Sequence, residues 1–394
     1  MTLTLLAIIV AAGLLGPIIA WSKKAHIPVE IGEMLAGIII GATGFHLVNT
    51  HNSIFTFLGN IGFAMVMLVA GSHVPVRDKS LIHGIPRALS RIFAIVVVSI
   101  VLALIVTKIF DVGHAAIYAV IFASSSTAII MPIIQGGGLA GQAVTDLIPQ
   151  VALADAASVI AVPLVIDEKN TLHAVLGVAA IIGVSVLLFF ILWFIQKQGW
   201  DEKVRERSME ANFALDLRVS LLLLFLLAAL AQATQVSIML AGFCLGIVIA
   251  GLGEPRRLAS QLFALSDGFF SPLFFVWLGA SINLGNLASH PEMILLAVVI
   301  ALAAILAHIV TVFFKQPWPL AVIAASENGV PAAIVALGVT MNILKPGEGA
   351  AMILASLLTV VAAVIAGRIQ LARQGTAAGT ADTASPALTE SDSK

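Results

Sequence analysis

Stretches of about 20 apolar residues follow one another from the first residues to about position 370, and each is long enough to cross a bilayer core as a helix. At membrane depth no water satisfies backbone N–H and C=O groups, so a spanning segment must pair them internally. This one feature confines the chain to an all-α polytopic membrane protein. Apolar residues make up 60% of it and charged residues 10%, against about 25% charged in a soluble domain. We count thirteen spans, approximately 3–21, 28–48, 54–73, 91–110, 115–135, 142–166, 172–195, 215–233, 236–253, 261–283, 291–314, 318–341 and 348–368. Residues 1–21 lack a basic start and a small-residue cleavage site, so they read as a retained first helix. Residues 371–394 are Ala/Thr/Ser/Asp-rich and are expected to form a disordered cytoplasmic tail.

Basic residues set the orientation. Lys23, Lys24, Arg77, Lys79, Arg87, Arg91, Lys197, Lys203, Arg205, Arg207, Arg256, Arg257 and Lys315 fall in odd-numbered loops, whereas Lys108, Lys169 and Lys345 fall in even-numbered ones. The bias places the odd loops and the C-terminus in the cytoplasm and the N-terminus outside. The expected location is the cell (inner) membrane. A net charge of -1 gives no footing for nucleic acid, and the lone Cys244 excludes a disulfide framework or a cysteine-rich metal site.

The chain repeats itself at an offset of seven spans. Met34-Leu-Ala-Gly-Ile-Ile-Ile-Gly41 in span 2 matches Met239-Leu-Ala-Gly-Phe-Cys-Leu-Gly246 in span 9, and the paired glycines offer smooth faces for close helix packing. Leu68-Val-Ala-Gly71 in span 3 corresponds to Trp277-Leu-Gly279 in span 10. Because seven is odd, the two copies cross the membrane in opposite senses, and inverted repeats of this kind place a transport site at their interface near the midplane. The expected division is an extra helix over 1–21, a first repeat over 22–166, linker helices and a cytoplasmic loop over 167–235, and a second repeat over 236–370.

Spans 5 and 12 both look interrupted. Ala123-Ser-Ser-Ser-Thr127 sets four hydroxyls in a row ahead of Pro132, and Ser326-Glu-Asn-Gly-Val-Pro331 combines a turn signal with a proline. Broken helices at membrane depth survive only when buried or lining a wet cavity. Next along the chain, Asp155 lies in an apolar stretch, where a carboxylate costs roughly 3 kcal/mol or more. Hydroxyls and freed carbonyls of Ser125, Ser126 and Thr127 would give a hard cation its oxygen ligands, and Asp155 would supply the charge. A proton and a cation then compete for one carboxylate, which makes exchange obligatory when the empty charged form is costly to move. His308 sits mid-span beside the second break as a candidate charge partner or pH sensor. Glu327, with Asn328 and Gly329, lies inside that break and either faces the ion or neutralises helix N-termini. Glu33 reads as structural, Asp267 as a helix-end or cavity-mouth residue, and His73 and Asp146 as interfacial.

At these residues the chain resembles the cation:proton antiporter superfamily, and looks closest to the bacterial sodium(potassium)/hydrogen exchanger branch related to potassium-efflux transporters. The likeness covers residues 5 to 370 and rests on Ile27-Pro28 with Gly32 to Gly41, Ser125-Ser-Thr127, the span around Asp155, and Ser271-Pro-Leu-Phe-Phe-Val-Trp-Leu-Gly279. The resemblance implies a homodimer in which one bundle holds two crossed, unwound helices. It makes Asp155 the essential ion-binding aspartate, with Ser125, Ser126 and Thr127 as the unwound segment beside it. It implies exchange of Na+ or K+ for H+ and no cofactor beyond the transported ions. The chain departs from the family at Ala154, where an acid or amide is usual; at His308, where Lys or Arg is common; at Gly329-Val330, where Gly-Glu is common; and at His73, in place of an acid. A single carboxylate without an adjacent partner favours one cation per proton. A coupled transporter of organic or anionic solutes, and a channel-like or sensor relative that no longer exchanges, are the alternative readings; the absence of a mid-span Arg counts against the first. No nucleophile elbow, zinc motif or paired catalytic aspartates point to an enzyme.

Overall fold

A computed structural model describes residues 2–21, 28–50, 52–74, 76–77, 79–136, 138–166, 171–198, 213–253, 256–282, 284–341 and 343–383. Among them every regular element is a helix. Span 1 is α1 (Leu3–Gly13) and α2 (Leu15–Ala20), span 2 is α3 (Val29–Ile40), and span 3 is α4 (Ser53–Ser72). The next helices are α5 (Lys79–Ile109), α6 (Ala115–Ala123), α7 (Thr127–Gly136), α8 (Gln142–Ile166) and α9 (Thr171–Lys197). They are followed by α10 (Leu215–Ala233), α11 (Ile238–Leu252), α12 (Arg256–Leu265), α13 (Ser271–Ser281) and α14 (Leu284–Ser289). The chain ends with α15 (Pro291–Ile309), α16 (Trp318–Ala324), α17 (Gly329–Met341) and α18 (Glu348–Thr383). Among the described residues, eleven helical segments are long and apolar enough to cross a membrane. The shorter α3 and α11 occupy the places of spans 2 and 9, which completes the thirteen.

Several ends differ from the sequence reading. Span 2 stops at Ile40, because the chain folds back: Phe45 N donates to Ile39 O at 2.8 Å and Leu47 N to Ile40 O at 2.9 Å. Span 4 begins twelve residues earlier, at Lys79, and tolerates Pro86 near its start. α18 runs on to Thr383, past residue 371 where an irregular tail was expected; the rest of that expectation, and residues 199–212 of the expected cytoplasmic loop, lie outside the described residues. In span 10 a π-turn over Ser266–Phe270 joins α12 to α13 and carries Asp267.

Two helix pairs pack most closely, α4 with α11 and α3 with α13. Their glycines explain why. A Cβ on Gly37 would strike the Val276 carbonyl, one on Gly279 the Met34 carbonyl, one on Gly246 the Leu68 carbonyl and one on Gly71 the Phe243 carbonyl. Span 2 therefore packs on span 10 and span 9 on span 3, and the seven-span offset exchanges one seam for the other. α1 and α2 cover α3, and α10 packs on α11. Around the two broken spans, α5, α6, α7, α8, α15, α16, α17 and α18 form a second body. It has an apolar core of its own, which includes Ile130, Ile133, Leu147, Leu320, Ile323 and Ala363. α9 runs between the two bodies, touching α8 and α11.

Candidate functional site

The two interrupted helices break in matching ways. α6 ends at Ser124, whose backbone is extended and whose hydroxyl donates back to the Ile121 carbonyl at 2.9 Å. α16 ends at Ala325, and the Ser326 hydroxyl donates back to the Ile323 carbonyl at 2.9 Å. At the first break the serine takes up a carbonyl that the ended helix leaves without an amide, and at the second it joins the Ser326 amide, which reaches the same carbonyl at 3.2 Å. The two breaks then meet. Ser126 N donates to Ser326 O at 2.9 Å, and the Ser125 hydroxyl donates to the Ala324 carbonyl at 2.6 Å. The broken backbone of one span is thus satisfied by the other, as burial at membrane depth demands.

A carboxylate sits at the start of each second half-helix. Asp155, from α8, accepts from Thr127 N at 2.9 Å, where α7 begins. Glu327 accepts from Asn328 N and Val330 N through Oε1, both at 2.9 Å, where α17 begins. Two helix N-termini, each with partial positive charge, therefore converge, and each holds one acid. Both acids are buried, Asp155 at 7% and Glu327 at 4% exposure. The two charges lie within electrostatic reach of one another.

Some oxygens at the crossing lack a hydrogen-bond donor. Glu327 Oε2 is buried without a partner. Thr127 Oγ1 faces the Asp155 carboxylate but falls outside hydrogen-bond geometry. Buried polar atoms are rarely left so in a folded protein. A carboxylate oxygen and a hydroxyl without donors suit a hard cation or a proton, which supplies what these acceptors lack.

His308 is fully buried, and it faces Ser125. Its Nε2 lies 3.3 Å from Ser125 Oγ, and Nδ1 lies 3.0 Å from the Ala304 carbonyl. The run from Ala304 O through the ring and Ser125 Oγ to Ala324 O has three contacts and ends in carbonyls, which only accept. A neutral ring and one hydroxyl hold two hydrogens for three contacts, so the chain has room for one more proton. Burying the resulting charge is costly without a counter-charge.

Of the residues singled out by sequence, the fold brings Ser125, Ser126, Thr127, Asp155, Glu327 and Asn328 together at the crossing, with His308 behind Ser125. Gly329 starts α17 and faces the scaffold, where a Cβ would come 3.3 Å from Met67 Cε. Three supporting residues escaped the sequence reading. Ser356 of α18 donates to Asn328 Oδ1 at 3.0 Å. Tyr118 of α6 donates to the Glu348 carboxylate at 2.7 Å, and both are buried. The only sequence signal for either pair is a polar residue inside or at the mouth of an apolar span. Elsewhere, Glu33 is buried with Oε2 unpaired, Asp146 meets Arg87 at 3.4 Å, and His73 stacks on Phe263.

A cavity of about 410 Å³ opens between the two bodies at the even-loop face, lined by Asn60 and Phe63 of α4, Pro163 of α8, Gln232 and Ala333 among others. Pro163 is eight residues, roughly 12 Å along α8, from Asp155. Val159 and Val162, both buried, fall between these two positions along α8.

Residues 8–373 match the model of the transmembrane sodium/hydrogen exchanger family. Among curated proteins, the chain is similar to YjbQ of Bacillus subtilis, whose name assigns it provisionally to Na+/H+ antiport; they are 22% identical over 332 residues, 79% of this chain and 53% of that protein. It is also similar to the glutathione-regulated potassium-efflux system protein KefC of an Enterobacter species, 24% identical over 303 residues, 75% of this chain and 48% of that one. The chain spans about half the length of these two relatives. The structure of the sodium proton antiporter MjNhaP1 from Methanocaldococcus jannaschii at pH 8 superposes with a TM-score of 0.64 at 18% identity, covering 94% of this chain and 96% of that one. That last likeness is one of fold.

Proposed function

The chain belongs to the sodium/hydrogen exchanger family, and from that premise we propose that it exchanges a monovalent cation, Na+ or K+, for H+ across the cell membrane. The observation that carries the proposal is the crossing itself. Asp155 accepts from Thr127 N at the meeting point of two broken helices, with Thr127 Oγ1 and Glu327 Oε2 buried and unpaired. A cation there takes oxygen ligands from Asp155 and the Thr127 hydroxyl, and a proton takes the same Asp155 oxygen. The two are therefore alternatives. Either one neutralises the carboxylate, and the empty charged form is held back by the cost of moving a bare charge through a low-dielectric seam.

The glycine seams of α3 with α13 and α4 with α11 make a scaffold suited to stay fixed, while the body holding the crossing moves against it and exposes Asp155 to each side in turn. The cavity lined by Asn60 and Pro163 serves as the outer approach. The positive-inside bias puts that face outside and the C-terminus in the cytoplasm. A homodimer formed through the scaffold follows from the family resemblance. A single proton-binding aspartate with Ala154 before it supports one cation per proton, and His308 is the group able to alter that balance. Relatives named for Na+ and for potassium efflux keep both ions as candidates.

The test is proton movement in proteoliposomes carrying an internal pH dye, pulsed with Na+ and then K+, with and without valinomycin. A cation-triggered pH change that vanishes in Asp155→Asn supports the exchanger and identifies its ion. Wild type that moves no protons for either ion at any pH sinks it and favours the solute-transporter or non-exchanging readings.

A further inference from the structure

A second concave feature lies away from the crossing. A groove of about 520 Å³ runs between α8, α9 and α11, lined by Ile160, Ile182, Val186, Phe189, Cys244 and Val248. Its outer wall, α9, presents Val186 and Phe190 to the surroundings at 49% and 57% exposure. The groove therefore opens sideways, at membrane depth, onto acyl chains and not onto water. One end is different in character. Arg77, from the turn after α4, is exposed and lines that end. Its guanidinium lies against Gly253, just past the end of α11, where a Cβ would collide with it. On the same helix end Gln196 Nε2 donates to the Leu252 carbonyl at 3.3 Å. The next residue, Lys197, stands with its ammonium 5.2 Å over the Trp193 ring. Arg77 and Gln196 thus meet at one helix terminus at the mouth of an apolar slot, with Lys197 next to Gln196 at the end of α9. All of these residues lie at odd-numbered loops, the face the charge bias assigns to the cytoplasm.

We propose that this groove is a binding site for an anionic glycerophospholipid of the cytoplasmic leaflet. One acyl chain lies along Phe189, Val186 and Ile182, and the headgroup phosphate is held by Arg77 and Lys197. An apolar slot with a guanidinium at its cytoplasmic end and an ammonium on the neighbouring helix end is an arrangement suited to such headgroups between membrane helices. A zwitterionic lipid fills the slot but offers its phosphate already paired to its own cation. The site also has a mechanical position. Ile160 lies five residues beyond Asp155 on α8, while Cys244 and Val248 belong to α11 of the scaffold. A lipid seated there touches both bodies at once, so its occupancy weights their relative placement. The assignment of the site does not rest on the exchange activity.

Cys244 is the single cysteine of the chain and lies in the groove wall, so it reports occupancy directly. The intact protein is placed in nanodiscs of phosphatidylcholine alone or mixed with phosphatidylglycerol, and labelling by N-ethylmaleimide is timed by mass spectrometry. Labelling several-fold slower with phosphatidylglycerol is expected, and Arg77→Gln/Lys197→Gln is expected to remove the difference. Equal wild-type rates in the two lipids overturn the proposal whatever the variant does. So does a difference that survives in the double variant, or protection by inorganic phosphate added to the phosphatidylcholine discs, since an ion without a chain leaves the groove wall uncovered.

Discussion

The amide of Thr127 points at the carboxylate of Asp155 across 2.9 Å, and the same carboxylate caps the first turn of α7. Structure and charge can be separated here, because Asn presents an oxygen that still accepts from the amide. Asp155→Asn is therefore expected to keep the protein folded, with a melting temperature near wild type in detergent, and to abolish cation-triggered proton movement entirely. Residual exchange above a few per cent of wild type would remove Asp155 from the centre of the mechanism.

Thr127 Oγ1 has no partner of its own beside that carboxylate. Thr127→Val keeps the shape and the backbone amide and deletes only the hydroxyl. A lost polar ligand of this kind is worth about 1 kcal/mol, or roughly 5-fold in affinity. The apparent KM for the cation should rise by about that factor while maximal rate changes little. A pH-dye assay over a cation series checks it; an unchanged KM would exclude the hydroxyl from the ion's shell.

Competition for one carboxylate fixes the sign of the pH dependence. Lowering the pH loads Asp155 with protons, so the apparent KM for cation should climb toward tenfold per pH unit on the acidic side, with maximal rate at saturating cation preserved. The hydrogen-bond chain from Ala304 through His308 and Ser125 to Ala324 has room for a further proton, and a ring that took it up would repel the incoming cation. The acidic limb should therefore be steeper than a single titration permits. His308→Gln, which cannot charge, should bring it back to single-proton steepness. Identical slopes in both proteins would leave His308 as a packing residue.

Much of this site is legible in the sequence because the membrane removes alternatives. Asp155 in an apolar span has few affordable roles, and a run of hydroxyls followed by Pro132 cannot remain an unbroken helix at that depth. Asn328-Gly329 and Pro331 make the second break visible for the same reason. What the sequence does not reveal is pairing at long range. Nothing local says that Tyr118 meets Glu348, 230 residues on, or that Ser356 holds Asn328. Nor does it say that His308 faces Ser125, since that follows from where two interrupted helices cross. The seven-span repeat placed the glycines on corresponding helices, but only the packing shows that span 2 seats on span 10 and span 9 on span 3. Helix ends were hardest where a short helix turns back, as at Gly41, because an apolar stretch continues in sequence after its hydrogen bonding has ended.

Glu327 joins two roles in one carboxylate. Oε1 caps α17 through two amides, and Oε2 is buried without a partner. Glu327→Gln keeps an acceptor for the cap and removes the charge, whereas Glu327→Ala removes both, at a cost near 1 kcal/mol for the cap. The amide variant should retain wild-type thermal stability yet bind cation more weakly, and the alanine variant should lose both. If the glutamine variant exchanges like wild type, the carboxylate is a helix cap and nothing more.

The glycine seams give a prediction about the scaffold independent of any ion. At Gly279 a Cβ would collide with the Met34 carbonyl, and at Gly246 with the Leu68 carbonyl. These neighbours are backbone, so relief requires a whole helix to shift. Overpacking of this kind costs about 1–3 kcal/mol, and Gly279→Val or Gly246→Val should lower the melting temperature of the purified protein clearly. Gly183 of α9 is the internal control, since a Cβ there meets nothing within 4 Å. With better helix propensity and no contact to offend, Gly183→Ala should be neutral or stabilising by up to about 1 kcal/mol. A seam variant as stable as Gly183→Ala would mean that the two helix pairs separate easily, and the body holding α3, α4, α11 and α13 could not then serve as the fixed frame against which the crossing moves.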